Sequence, residues 1–371
     1  MKSTLKRIKA LDVFRGITVV LMIIVNSPGN HTTFTSLVHA NWYGCHLADM
    51  VFPFFIMIAS MSAVLALANL QHKQTDNATL HALILKRGLW IFALGLLLNI
   101  LPNHFDLSHV RLLGVLQRIA FCYVFAAYCE LYLDNRRQIL VVLSLLLGYE
   151  LLLGLWALKA PLTQSFNPVG SLDTWLLSSQ HLYTNSFDPE GLLSTLPAFA
   201  SALIGNLLGS ILVQPIEDKK KVYKLSRWGL LLAIMGLALS VISPFNKSLW
   251  TSSYVLWTSG IGALGFACCF GLVEIKQYRL STSFFTLFGR HALFIYFWHV
   301  VLLKLQARVL IHTQTKVIPL KLYFTQTLFG YLPYQWASLA YAISFMLLCG
   351  VVLKIKTWRL VRIMPSKLLK G

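Results

Sequence analysis

Charge is scarce in this chain of 371 residues: Asp, Glu, Lys and Arg together make up 12% of it, against 57% hydrophobic residues. So little polar surface cannot coat a soluble globule of that length, and the mean hydropathy of +0.66 places the chain in a membrane. Acid is scarcer still, with 13 Asp and Glu against 32 Lys and Arg, a formal net charge of +19. Such an excess would suit nucleic acid, but no zinc finger, glycine-rich phosphate loop or soluble basic domain accompanies it. Basic residues at the ends of membrane helices explain it through topology instead, and no nucleic-acid partner is expected. Of six cysteines, Cys122, Cys129, Cys268, Cys269 and Cys349 lie in apolar runs and only Cys45 in a loop, so neither a disulfide framework nor a metal cluster follows. The basic N-terminus (Lys2, Lys6, Arg7, Lys9) lacks a small-x-small cleavage site, so a retained first helix is expected. Nor is there an internal repeat of the inverted-transporter kind.

What the chain has is a series of apolar runs of about 20 residues, the length of a helical span and about twice that of a barrel strand. The fold class is therefore all-α, a polytopic membrane protein of about ten transmembrane helices. The expected spans are 11–27, 46–69, 80–101, 111–133, 138–160, 190–214, 225–243, 248–272, 282–303 and 334–354, within one transmembrane domain covering 1–371. Most Lys and Arg residues fall on one side if both termini are cytoplasmic, including Lys73, Lys86, Arg136, the Lys219–Lys221 run, Arg279 and the tail from Lys354 to Lys370. Residues 28–45, 102–110, 161–189, 244–247 and 304–333 then face outward. The two long outer segments could form a lid or a sugar-binding rim, or could merely connect helices. Asp188 followed by Pro189 reads as an N-cap and first turn of the sixth span.

Ionisable groups inside or at the edge of apolar runs are costly unless they are paired, wet or at work. One stretch, 36–55, puts His39, His46 and Asp49 directly before a long apolar run, and the helix before it carries Asp12, Arg15 and Asn26. Sorted by depth, Asn26, His39, Asp49 and His299 lie near the outer face, Arg15, Asp12 and Arg290 toward the inner half, and Arg118 between. Arginine suits the phosphates of an anionic cofactor entering from the cytoplasm. Histidine can take a proton from an attacking amine or accept an acyl group, a nearby carboxylate can hold its tautomer, and the Asn26 amide can stabilise an oxyanion. Asp12 and Arg15, at i and i+3, could equally pair with each other, and Arg290 could snorkel to the inner surface. His46 reads as a cap-region residue and His291 as structural.

At this point a family resemblance enters. Arg7-Ile-Lys-Ala-Leu-Asp-Val-Phe-Arg-Gly16, the run ending in Asn26, His39-Ala-Asn-Trp-Tyr-Gly44 and Ala48-Asp-Met-Val-Phe-Pro53 resemble the membrane domain of heparan-alpha-glucosaminide N-acetyltransferase and its bacterial relatives. Arg111-Leu-Leu-Gly-Val-Leu-Gln-Arg-Ile-Ala120, Phe187-Asp-Pro-Glu-Gly-Leu-Leu193, Asn246-Lys-Ser-Leu-Trp250 and Tyr296 to His299 follow in the same order, so the resemblance covers nearly the whole chain. It implies transfer of acetyl from cytoplasmic acetyl-CoA, as co-substrate, across the membrane to the amine of a glucosamine-type sugar. His39 is then the catalytic residue, with Asn26 closing the first helix and Asp49 beside it. Arg15, Arg118 and Arg290 would hold the donor, and Trp42 and His299 the acceptor. The lysosomal enzyme's extra lumenal domain and preceding span are absent here, so a bacterial cytoplasmic membrane is expected, with the His39 loop on the periplasmic face. Expected partners are amino sugars of chitin, peptidoglycan or other glycans, membrane lipid, and, as an open option, a second copy in a homodimer. Leu-Asp-x-x-Arg-Gly also opens the broad acyltransferase-3 family, where a His follows the Arg by eleven residues; here that position is Asn26. The competing class is a transporter or flippase for an amino sugar or lipid-linked glycan, with His39 and Asp49 as a proton relay. The lack of repeats and the cationic inner end favour the enzyme.

Overall fold

The computed structural model describes residues 7–101, 107–278, 282–313 and 316–363. Lys2, Lys6, Arg279, Lys367 and Lys370, and the part of the second outer segment at 102–106, lie outside the described residues. The chain forms two compact units, one of Met1–Leu11 and His39–Gln277, the other of Asp12–Val38 and Tyr278–Gly371. Helix α1 (Lys9–Asn26) starts in the first and runs through the second.

The first unit contains α2 (Leu47–His72), α3 (Asn77–Ile100), α4 (Val115–Tyr132), α5 (Asn135–Ala157), the short α6 (Pro168–Leu177), α7 (Leu192–Val213), α8 (Asp218–Leu239) and α9 (Ser252–Phe270). Local chemistry sets several starts: Asp76 accepts from Thr79 N at 2.9 Å, Asp134 from Arg137 N at 3.0 Å, and Asn167 from Gly170 N at 2.7 Å with Pro168 in the first turn. Most of the apolar stretch of α2, α7 and α9 is buried, whereas α3, α5 and α8 bury less than a third of theirs and turn leucines outward. Buried helices need close approach, which small residues provide. A Cβ on Gly205 would stand 2.6 Å from the Met57 carbonyl oxygen and one on Gly209 3.1 Å from the Met61 Cα, so the Gly205-x-x-x-Gly209 edge of α7 lies against the α2 backbone.

The second unit joins the rest of α1 to α10 (Thr282–Arg290), α11 (Ala292–Arg308), α12 (Leu320–Phe329), α13 (Tyr334–Ile363) and an antiparallel pair, β1 (Leu310–His312) with β2 (Val317–Pro319), in which Ile311 faces Ile318. Gly29 N donates to Ser338 Oγ at 3.0 Å and Gly29 O accepts from Thr325 Oγ1 at 3.0 Å, tying the segment after α1 to α12 and α13.

Among the described residues, seven helices are long and apolar enough to cross a membrane: α2, α3, α5, α7, α8, α9 with its continuation to Ile275, and α13 over Tyr334–Lys356. The expected span at 282–303 is a broken one, since α10 and α11 meet at an 80° bend where His291 leaves helical geometry; counted as one span, the pair brings the number to eight. The stretches 11–27 and 111–133 do fold as helices, α1 and α4. Lys9, Asp12 and Arg15 in the one, and Gln117, Arg118 and Glu130 in the other, keep them outside that group. One start differs from the sequence reading. The helix after Asp188-Pro189 begins only at Leu192: Asp188 Oδ1 accepts from the Glu190 N–H at 2.9 Å, as a cap would, but the same carboxylate is also held by Arg111 and no helix starts there.

Candidate active site

The first unit brings His39 and Asp49 together. Asp49 sits in the first turn of α2, fully buried, and its Oδ2 accepts from the backbone N–H of His46 at 3.0 Å and of Ala40 at 3.1 Å. The first of these is a cap on α2; the second pulls the preceding loop onto the helix end. Oδ1 is left for His39 Nδ1, at 2.8 Å. With Nδ1–H donated to this carboxylate, Nε2 carries the lone pair, on a ring that is about half exposed (48%). His46 occupies the cap position itself, as its spacing from Asp49 suggested.

Two further anchors hold the loop. Trp42 Nε1 and Tyr43 Oη both donate to the Leu162 carbonyl, at 3.1 and 2.9 Å, and Gly44, at φ +124° where a side chain would be strained, donates its N–H to Phe245 O at 2.8 Å. That last bond joins the His39 loop to the turn before α9, and the turn delivers Lys247. Its Nζ lies 3.0 Å from His39 Nδ1, 3.4 Å from Nε2 and 3.5 Å from Asp49 Oδ1. From α9, Tyr254 Oη donates to the Asp49 carbonyl at 2.6 Å. Lys247 was not among the residues expected from sequence; in the linear chain it is one more outer lysine, 208 positions from His39. Cys45, the one loop cysteine, has its thiol pushed up to about 12 by burial and by Asp49, so it is no thiolate at neutral pH.

A second polar cluster lies in the same unit. Arg111 makes a bidentate pair with Asp188 (2.8 and 2.6 Å), also meets Glu190, and stacks over the Tyr183 ring at 4.7 Å. These contacts explain why an Arg motif before α4 and an Asp-Pro-Glu-Gly motif before α7 occur together. Next to it, Gly191 admits no side chain, since a Cβ there would stand 1.8 Å from Asp173 Oδ2. Its carbonyl accepts from Arg118 Nη2 at 3.0 Å, and Arg118 also meets Ser194 Oγ. Arg118 is fully buried and lies 5.0 Å from the Trp250 ring centre, while its Nε and Nη1 have no hydrogen-bond partner among the described residues. A buried guanidinium with idle donors costs several kcal/mol unless a ligand uses them. Trp250 itself is held at φ +57°, a strained position for a bulky residue worth about 1–3 kcal/mol, and persists because its Nε1 reaches Ser201 Oγ and Phe52 and Tyr254 pack against its ring.

The remaining predicted residues belong to the second unit. Asp12 bridges two of the predicted arginines: Arg15 Nη1 lies 3.4 Å from its Oδ1 and Arg290 Nε 3.7 Å from its Oδ2. The pairing of Asp12 with Arg15 allowed by their spacing is thus formed, and Arg290 joins it. Glycines make this possible, because a Cβ on Gly16 would meet the Phe285 carbonyl oxygen at 1.8 Å and one on Gly289 the Asp12 carbonyl oxygen at 1.8 Å. The Asp-x-x-Arg-Gly run is in part the footprint of α10 crossing α1. Asn26 closes α1 and is exposed. His299 is buried in α11, with Nδ1 3.2 Å from Ile295 O and Nε2 without a partner among the described residues.

These features define a helical membrane protein with an exposed, carboxylate-held histidine at one helix end. The chain belongs to the family described as heparan-alpha-glucosaminide N-acetyltransferase, catalytic, whose model matches residues 7–243. It is similar to the heparan-alpha-glucosaminide N-acetyltransferase of Homo sapiens, 26% identical over 354 residues that cover 80% of this chain and 53% of that protein. The Mus musculus protein of the same name is 25% identical over 360 residues, covering 81% and 54% respectively. The chain thus spans about half the length of the curated relatives it matches.

Proposed function

We propose that this protein is a transmembrane acetyltransferase that moves acetyl from acetyl-CoA, offered on the cytoplasmic side, to the amine of a glucosamine-type sugar on the outer face, with residues 1–371 acting as one acyltransferase domain. The observation that carries the reading is the His39–Asp49 pair: a buried carboxylate 2.8 Å from Nδ1 of a half-exposed imidazole. As the amine attacks the thioester carbon, a C–N bond forms, the C–S bond breaks, and CoA leaves as its thiol. Nε2 takes the amine proton directly, or first carries the acetyl itself. Asp49 fixes the tautomer and balances the charge that develops on the ring. In the second unit, Asn26 is the amide proposed to steady the oxyanion and His299 an acceptor-binding group, and Trp42 in the first is a further contact for the sugar.

Donor binding is proposed for Arg15 and Arg290, which meet at the Asp12 carboxylate, and for the two idle donors of Arg118, all fitting phosphate. The deciding experiment supplies purified protein with labelled acetyl-CoA and a panel of amino sugars. Label in an N-acetyl product is the expected result; an amino sugar carried across proteoliposomes without acetylation would instead favour a transporter.

A further inference from the structure

Lys247 makes the His39–Asp49 arrangement different from a simple ion pair. A lone carboxylate beside an imidazole stabilises the protonated ring, which cannot accept another proton. Here the Asp49 charge is already countered by an ammonium 3.5 Å away, and the same ammonium lies 3.0 Å from Nδ1 and 3.4 Å from Nε2. A proton added to His39 would place two positive charges in contact. We propose that Lys247 is a positioning residue of this site, whose ammonium opposes a second proton on the His39 ring.

The turn that carries Lys247 is built to hold it in place. Asn246 Oδ1 accepts from Leu249 N at 2.8 Å, Trp250 N donates to the Lys247 carbonyl at 3.2 Å, Thr251 N to Asn246 O at 3.2 Å, and Asn246 N to Thr251 Oγ1 at 3.1 Å. The strained backbone of Trp250 closes the turn. About a fifth (21%) of the Lys247 side chain is exposed, and burial pulls its ammonium below the ordinary lysine value, against the opposing attraction of Asp49 and Glu190. The charged and titratable groups around it are Asp49 from α2, Glu190 from the segment before α7, and Cys45 from the His39 loop, with Tyr254 from α9 and Arg118 from α4 behind them. Lys247 lies beyond the matched residues 7–243.

The proposal rests on His39 as the reacting base, and its test has one readout that does not. Purified wild type, Lys247→Met and Lys247→Arg are treated with diethyl pyrocarbonate, which modifies an imidazole only in its neutral form, and modification of His39 itself is followed by mass spectrometry from pH 5 to 9. The midpoint should move up by at least about one pH unit in Lys247→Met, the scale of one adjacent charge, and stay near wild type in Lys247→Arg. In parallel, the acid limb of kcat/KM should move up by the same amount in Lys247→Met, with activity recovering at the alkaline end. An unmoved modification midpoint in Lys247→Met overturns the role of Lys247, as does a loss of activity equal at every pH. A moved midpoint with an unmoved activity profile keeps Lys247 where it is placed here and removes His39 as the base.

Discussion

At the scale of single residues, replacing His39 tests the chemistry most directly. The amine of glucosamine is largely protonated near neutral pH, so its attack needs a proton acceptor, and His39→Ala should lower kcat by at least about a hundredfold while the protein folds and binds acetyl-CoA as before. Asp49→Asn should fall between, and it should also loosen α2, because Oδ2 caps that helix through His46 N. Steady-state kinetics with a melting curve separates the two effects; normal turnover by His39→Ala would end the catalytic reading. Asp173 supplies a prediction of a different kind. Burial, aided by nearby Asp188, pushes its carboxyl up to about 6, against the Leu192 N–H and Arg118. A carboxyl raised in the folded state binds its proton more tightly there than in the unfolded chain. Its contribution is therefore fully favourable below the ordinary value of about 4 and is lost as pH rises to about 6, a change of about 2–3 kcal/mol. The difference in melting temperature between wild type and Asp173→Asn should accordingly fall over that window; parallel curves would show that Asp173 titrates alike in both states.

At the scale of elements, the crossing of α1 and α10 within the second unit combines packing with charge. Gly16 and Gly289 let the two backbones meet, and at that crossing Asp12 gathers Arg15 and Arg290. If these arginines hold CoA phosphates, Arg15→Ala and Arg290→Ala should raise the KM for acetyl-CoA by about tenfold or more with little change for the acceptor, since phosphate binding is remote from the reacting thioester. An unchanged donor KM in both variants would make the cluster a structural ion pair. Gly16→Leu should instead unfold or loosen the crossing, lowering the melting temperature, because no rotamer moves a Cβ that starts 1.8 Å from a carbonyl oxygen.

At the scale of the whole molecule, the asymmetry of basic residues underlies the proposed topology, with both termini inside. In a protein whose Cys45 and exposed Cys268 have been replaced, Ser36→Cys should react with an impermeant thiol reagent in intact cells and Lys220→Cys only after permeabilisation; labelling of residue 220 from outside would invert the proposed topology. Hydropathy by itself determined that this is a helical membrane protein and where its long apolar helices run, because that signal is local and additive along the chain. It placed His39 and Asp49 together for the same reason: a polar pair ten residues apart, straddling the start of one helix, needs only that helix's cap to meet. The pairing of Asp12 with Arg15 was legible from one turn of helix. What the linear chain could not show was decided by contacts between distant segments. The break at His291 within an apolar run, the capture of Asp188 by Arg111, and the arrival of Lys247 beside His39 all depend on which helices lie side by side. A lysine in an outer turn has the same local sequence whether it faces water or an imidazole; only the bonded, strained turn before α9, set against the cap of α2, fixes the distance at which its charge acts.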